Sequence, residues 1–241
     1  MLSEKPWRPD RVLRLIAGFY SAMFLAGIVA LGYKEVFPDA VTNQIVVFAV
    51  GTFTFQIVTL VLIHIFLRQH QTTWAEAFGF REPRLARAIF LAVLVSLLIL
   101  PVALSLAEVS SRIIKTTGVT PQLQQAVQVV REASSVVQLI VQALAAVVFA
   151  PIVEEVIFRG ILYPAVKRTY NQKTALWGVS ILFALTHMNF TVIVPLTVLA
   201  IILTFLYETT RNLIAPIVAH SVFNAANFAY LVFQRYQQGS L

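Results

Sequence analysis

Residues 135–157 read SVVQLIVQALAAVVFAPIVEEVI, an almost unbroken apolar run that ends on two adjacent glutamates, Glu154 and Glu155. Its length matches the roughly 20 residues that a helix needs to cross a bilayer. A charge at mid-bilayer costs at least ~2.5–3.5 kcal/mol on insertion scales, so intramembrane carboxylates are functional candidates by default.

The rest of the chain has the same character. Of its 241 residues, 59% are hydrophobic and 12% charged, about half the charged share of an ordinary soluble domain. Further runs at Val12–Gly32, Thr42–Leu67, Ala88–Ala107, Thr174–Met188, Val192–Tyr207 and Leu213–Phe233 make an all-α, polytopic transmembrane bundle of about seven spans. Eight follow if the fourth breaks near Pro151 or Pro164. The fifth and sixth runs are short, separated by Asn189–Thr191, and read as tilted spans or a tight hairpin. Residues 1–241 are expected to form a single integral membrane domain.

Absent cysteines exclude disulfides, thiolate metal sites and a cysteine nucleophile. The net charge of +7 is explained by cytoplasmic loops rather than by nucleic-acid binding. Lys5, Arg8, Arg11 and Arg14 lie before or at the start of the first run; Arg68, Arg81, Arg84 and Arg87 follow the second; Arg159, Lys167, Arg168 and Lys173 follow the fourth. That alternation predicts a cytoplasmic N-terminus and puts Glu154, Glu155 and Arg159 near the cytoplasmic end of the fourth helix. The first run is long enough to span and lacks a small-residue cleavage pattern, so it reads as a retained helix in a bacterial cell membrane. In the loop, Trp74, Phe78 and Phe80 read as an interfacial anchor, and Pro121–Arg131 as an interfacial or connecting helix.

Three short patterns carry chemistry. In Glu154-Glu155…Arg159, Glu155 lies four residues before Arg159, the favourable order for an intrahelical ion pair. Glu154 lies about 100° round the helix, free to face a cavity. Phe183 and His187 share one face, as do His220 and Asn224. Taken singly, each has a bland reading: a charge cluster at a helix end, a packed histidine, an interhelical hydrogen bond. Together, a carboxylate and two imidazoles suit a zinc-like divalent ion held by Glu154, His187 and His220, or a metal-free general base.

These motifs, in this order, resemble the CPBP family of intramembrane proteases, which includes the CAAX prenyl endopeptidases and the bacterial Abi proteins. The family pattern is EExxxR, then FxxxH, then HxxxN, and the chain departs from it nowhere; the likeness covers about residues 135–233. It implies a membrane-embedded endopeptidase acting on a membrane-associated peptide substrate, lipidated for some members of the family and not for others. By position, Glu154 and His187 activate water, His220 and Asn224 form the oxyanion hole, and Glu155, Arg159 and Phe183 support them. The resemblance implies either a divalent metal or no cofactor, and the metal-free version is preferred. Two other functions compete: a non-catalytic scaffold or bacteriocin self-immunity protein, and a proton-coupled transporter, for which no inverted repeat of hydropathy is present.

Overall fold

A computed structural model describes residues 5, 7–37, 41–118 and 125–238. Among them every regular element is helical: α1 (Pro9–Val36), α2 (Val41–Gln69), α3 (Trp74–Phe78), α4 (Leu85–Thr116), α5 (Gln125–Arg131), α6 (Val136–Thr169), α7 (Gln172–Leu185), α8 (Ile193–Thr210) and α9 (Ile214–Gln237). All seven expected spans are present as helices, and six of the helices are long and apolar enough to cross a membrane. The exception is α7, whose 14 residues reach only about 21 Å, short of a ~30 Å hydrocarbon core. It stops because Thr186 Oγ1 (2.7 Å) and His187 Nδ1 (2.9 Å) both donate to the Phe183 carbonyl, and Met188 then turns left-handed at φ 49°. The result is the hairpin alternative for the fifth and sixth runs. Of the expected segment at 121–131, residues 121–124 lie outside the described residues, and the remainder is α5.

Large apolar side chains on α1, α2 and α4 point outward, Phe24, Phe90, Leu97 and Leu98 among them. In water such a surface would be an association liability; against acyl chains it is the expected exterior. Facing inward on α1 and α4 are small residues, Ala22, Ala26, Ala88, Ala92 and Ala103. Close backbone approach through small residues is how helices pack where the hydrophobic effect gives no drive between them.

The fourth span does not break. α6 continues 34 residues through both prolines, with a π turn directly before each: Leu144–Phe149 before Pro151 and Val156–Leu162 before Pro164. A wider turn relieves the clash between the proline ring and the preceding carbonyls, but it leaves carbonyls without partners. Two distant side chains collect them. Asn224 Nδ2 donates to the Ala146 carbonyl at 2.8 Å, and Trp7 Nε1 to the Gly160 carbonyl at 3.1 Å. Because α6 runs on to Thr169, Glu155 sits about 21 Å before its basic end. The glutamates are therefore near mid-helix, a correction to the expectation that they lie near its cytoplasmic end. The expectation failed because the apolar run ends at Ile157, whereas the helix carries Arg159, Lys167 and Arg168 on to Thr169.

The basic segments meet at one end of the bundle. Arg168 donates to the Lys5 carbonyl, Lys5 Nζ to the Glu76 carbonyl, and Arg11 to the Gln69 carbonyl. Phe78 is not an interfacial anchor: it is fully buried under Gly160, its ring edge where a Cβ on that glycine would be. Trp74 and Phe80 are only partly buried.

His70 fixes this end to the N-terminus. Its Nδ1 donates to the Phe66 carbonyl (2.8 Å) and its Nε2 accepts from the Arg8 backbone N–H (3.1 Å), so the neutral ring is the one that fits. Burial holds its pKa below the usual histidine value, with Arg11 and Arg8 adding to the effect and the Phe66 carbonyl opposing it. A base whose folded pKa is depressed stabilises the fold fully above its unfolded value, ~6.5, and loses that contribution as pH falls below it toward the folded value. The melting temperature in detergent should therefore drop as pH is lowered from 7.5 to 5.5. In His70→Gln, which cannot titrate, that drop should be smaller; an equal drop would assign the dependence to other groups.

Candidate active site

The site is built around one carboxylate oxygen. Glu155 Oε1 accepts from Arg159 Nη1 at 2.8 Å and is also 2.8 Å from His220 Nδ1. Glu155, Arg159 and His220 are 0%, 1% and 3% exposed. The expected i,i+4 pair within α6 thus forms, and it reaches across to α9. A second donation, Arg159 Nη2 to the Ala200 carbonyl at 3.1 Å, ties α6 to α8. The guanidinium also lies over the Phe183 ring, 4.5 Å from its centroid. Such a cation–π contact gains ~2 kcal/mol or more when desolvated.

Phe183 is the hub of the aromatic packing. Its ring meets Phe158 at 5.1 Å, His187 at 5.0 Å and His220 at 5.8 Å. The FxxxH spacing therefore does two things. It seats the buried arginine, and its backbone carbonyl holds Nδ1 of His187 one turn later.

Glu154 turns to a different side, as the 100° offset requires. Its side chain is 27% exposed, and Oε2 lies 3.9 Å from His220 Nε2 with no hydrogen-bond partner in the protein. The structure thus brings Glu154, Glu155, Arg159, Phe183 and His220 together, with His187 joined to the group through Phe183. Asn224 lies one turn beyond His220, and one of its amide N–H groups is committed to the Ala146 carbonyl.

The donor chemistry bears on a metal. Glu154 Oε2 and His220 Nε2 face each other, but among the described residues no three His, Asp or Glu side chains are gathered to hold an ion. Catalytic zinc usually takes three protein ligands, so this arrangement does not fit a three-donor centre.

Sequence reading missed one buried cluster, at Glu208. The carboxylate accepts from Tyr163 O–H at 2.7 Å and from Lys167, joining α8 to the end of α6. The available signal was an acid directly after the apolar run Val192–Tyr207, to which the sequence reading gave no role.

A buried pair broken on one side costs about 3–5 kcal/mol, because the remaining charge is left without compensation. Glu155→Gln should lower thermal stability in detergent by about that much, and much more than Glu154→Gln does. Replacing both partners, as in Glu155→Gln with Arg159→Met, should recover part of the loss; equal melting temperatures for the two single variants would contradict this assignment.

With this geometry in hand, comparison with known proteins gives one match. Residues 136–226 match the family model of the Rce1-like type II CAAX prenyl endopeptidases. No curated protein and no solved structure shows significant similarity to the chain. The matched segment begins at the first residue of α6 and ends two residues past Asn224, so it encloses every residue of the site, in an integral membrane protein with six apolar spanning helices. Over those residues the chain is similar to the Rce1-like type II CAAX prenyl endopeptidases, consistent with an intramembrane protease of the CPBP family.

Proposed function

We propose that this protein is an intramembrane endopeptidase in which Glu154 is the general base that activates water on a membrane-associated peptide. The observation that carries the reading is the unpartnered Glu154 Oε2, 3.9 Å from His220 Nε2 and beside a buried, compensated Glu155–Arg159 pair. Two groups 3.9 Å apart do not bond directly; in this reading a water that contacts both bridges them.

Glu155 Oε1 accepts from Arg159 Nη1 and is 2.8 Å from His220 Nδ1, so the tautomer that fits has the His220 proton on Nδ1, and Nε2 is left facing Glu154. A water held between Nε2 and Oε2 is oriented by both. Glu154 removes its proton as the oxygen attacks the peptide carbonyl, and then returns that proton to the leaving amine. Donation to the oxyanion falls to the second amide N–H of Asn224 and to His187. His187 can donate from Nε2 only as imidazolium, because its Nδ1 proton is already given to Phe183. This differs from the roles implied by the family likeness, which pair Glu154 with His187; here His220 is the imidazole nearest to Glu154.

We place the protein in a bacterial cell membrane with a cytoplasmic N-terminus, and we read the whole chain as one domain. The gathering of Lys5, Arg11 and Arg168 at one end of the bundle supports that orientation, since basic residues collect on the cytoplasmic side.

The test uses purified wild type and Glu154→Gln, incubated with membrane-spanning and prenylated peptides, with and without a chelator, and products read by mass spectrometry. Wild type should cleave, and Glu154→Gln should lose about 10²–10⁴-fold in rate, the usual contribution of a general base, while its melting temperature holds. Full activity in Glu154→Gln would overturn the assignment. The chelator lanes decide whether a metal takes part.

A further inference from the structure

Far from Glu154, at the basic end of the bundle, a cavity of about 500 Å³ opens between the start of α4 and the turn that joins α8 to α9. That volume is within the ~300–1,000 Å³ of ordinary small-ligand sites. Arg84, Arg87 and Arg211 line it, against one acid, Glu82. None of the three guanidinium groups is engaged in an ion pair among the described residues.

Two further features point inward. α4 begins here without a side-chain cap and with no acid in its first turn, so its first N–H groups and the positive end of its dipole are uncompensated. Independently, Asn212 lines the cavity and is only 1% exposed. Its Oδ1 accepts from the Ile214 N–H at 2.9 Å, which fixes the amide orientation and makes Nδ2 the donor; that Nδ2 is buried without an acceptor. A buried donor left unmatched in an otherwise satisfied turn is the mark of an absent acceptor.

The turn is held rigidly. Gly79 adopts φ 75° with the Arg211 carbonyl only 1.9 Å from where a Cβ would be, and Leu213 N–H donates to the Phe78 carbonyl at 2.9 Å. Immediately beyond Arg87, α4 presents exposed Ile89, Phe90, Leu94 and Leu97, so the cavity sits where polar surface gives way to hydrocarbon.

We infer that this cavity is a phosphate-ester anion site, filled in the membrane by the headgroup of an acidic phospholipid whose chains lie along the apolar face of α4. Guanidinium groups match phosphate oxygens bidentately, and a helix N-terminus and an amide N–H add donors of the same sense. Three arginines against the single acid Glu82 leave the lining net positive, which favours a headgroup of net negative charge over a zwitterionic one whose cation would face the arginines.

The test takes the full chain in zwitterionic detergent and adds phosphatidylglycerol, phosphatidylcholine or inorganic phosphate. Melting temperature and lipid retained by native mass spectrometry are read. Phosphatidylglycerol should raise the melting temperature and be retained, and phosphatidylcholine should do neither. Arg84→Gln with Arg87→Gln should weaken retention at least about tenfold, the loss expected when charge-assisted hydrogen bonds are removed. Asn212→Asp keeps the acceptor for Ile214 and puts an anion where the NH₂ stood, so it should weaken retention as much. If it fails to fold, the exposed arginine pair still decides the matter. Displacement of the lipid by inorganic phosphate would show that a soluble phosphate also supplies the ligand; a lipid-only response assigns it to the headgroup. Equal retention of both lipids, or retention unchanged in the variants, would overturn the inference.

Discussion

A carboxylate and a guanidinium removed from water inside a helix bundle each carry a desolvation cost of several kcal/mol, and they persist because they answer each other's charge. Glu155 and Arg159 do so, although Glu155 Oε2 and Arg159 Nε are buried without hydrogen-bond partners. One carboxylate oxygen serves both Arg159 and His220, and the guanidinium is answered by the carboxylate, the Ala200 carbonyl and the Phe183 ring. Four elements, α6, α7, α8 and α9, thus converge on a single charge. If the pair is disturbed, the position of His220 relative to Glu154 goes with it. The same interaction sets the two adjacent glutamates apart: Glu155 is fully buried and paired through Oε1 with Arg159 and His220, whereas Glu154 is partly exposed and has no such pair.

The prolines of α6 contribute to the same end. A straight helix would present its glutamates with all backbone groups satisfied within itself. The π turns before Pro151 and Pro164 release carbonyls instead, and Asn224 and Trp7 bond to them. Asn224 is therefore placed by its bond to the backbone of α6, which also fixes the register of α9 carrying His220 one turn earlier. Trp7 does the corresponding service at the other π turn, and binds the N-terminal segment to the site helix across 153 residues of sequence.

Much of this was legible in the chain. Apolar runs about 20 residues long have one outcome in a bilayer, since only a helix satisfies every backbone group within itself. The spacing of Glu155 and Arg159 carries an ion pair on any helix, and that of Phe183 and His187 carries a shared face. Less legible was where α6 ends: the apolar run closes at Ile157, but the helix continues past Arg159 and Pro164, and whether a proline breaks a helix depends on neighbours able to take up the freed carbonyls, here Trp7. The role of Phe78 was misread for a similar reason. An aromatic beside basic residues looks interfacial until Gly160 is known to leave room for its ring.

What the sequence determined by itself was local and periodic: the helices, the apolar exterior, the absence of thiol chemistry, and which side chains share a helix face. What the tertiary structure decided was every relation across helices. It selected His220 rather than His187 as the imidazole beside Glu154, gave Phe183 a cation to hold, committed one N–H of Asn224 to a backbone carbonyl, and left Asn212 with a buried donor facing three arginines. The physical reason is that hydrogen bonds and ion pairs act over about 3 Å, whereas the residues they join here lie 65 positions apart along the chain between Glu155 and His220 and 78 between Ala146 and Asn224. Periodicity specifies a face; only the packed bundle specifies what that face meets.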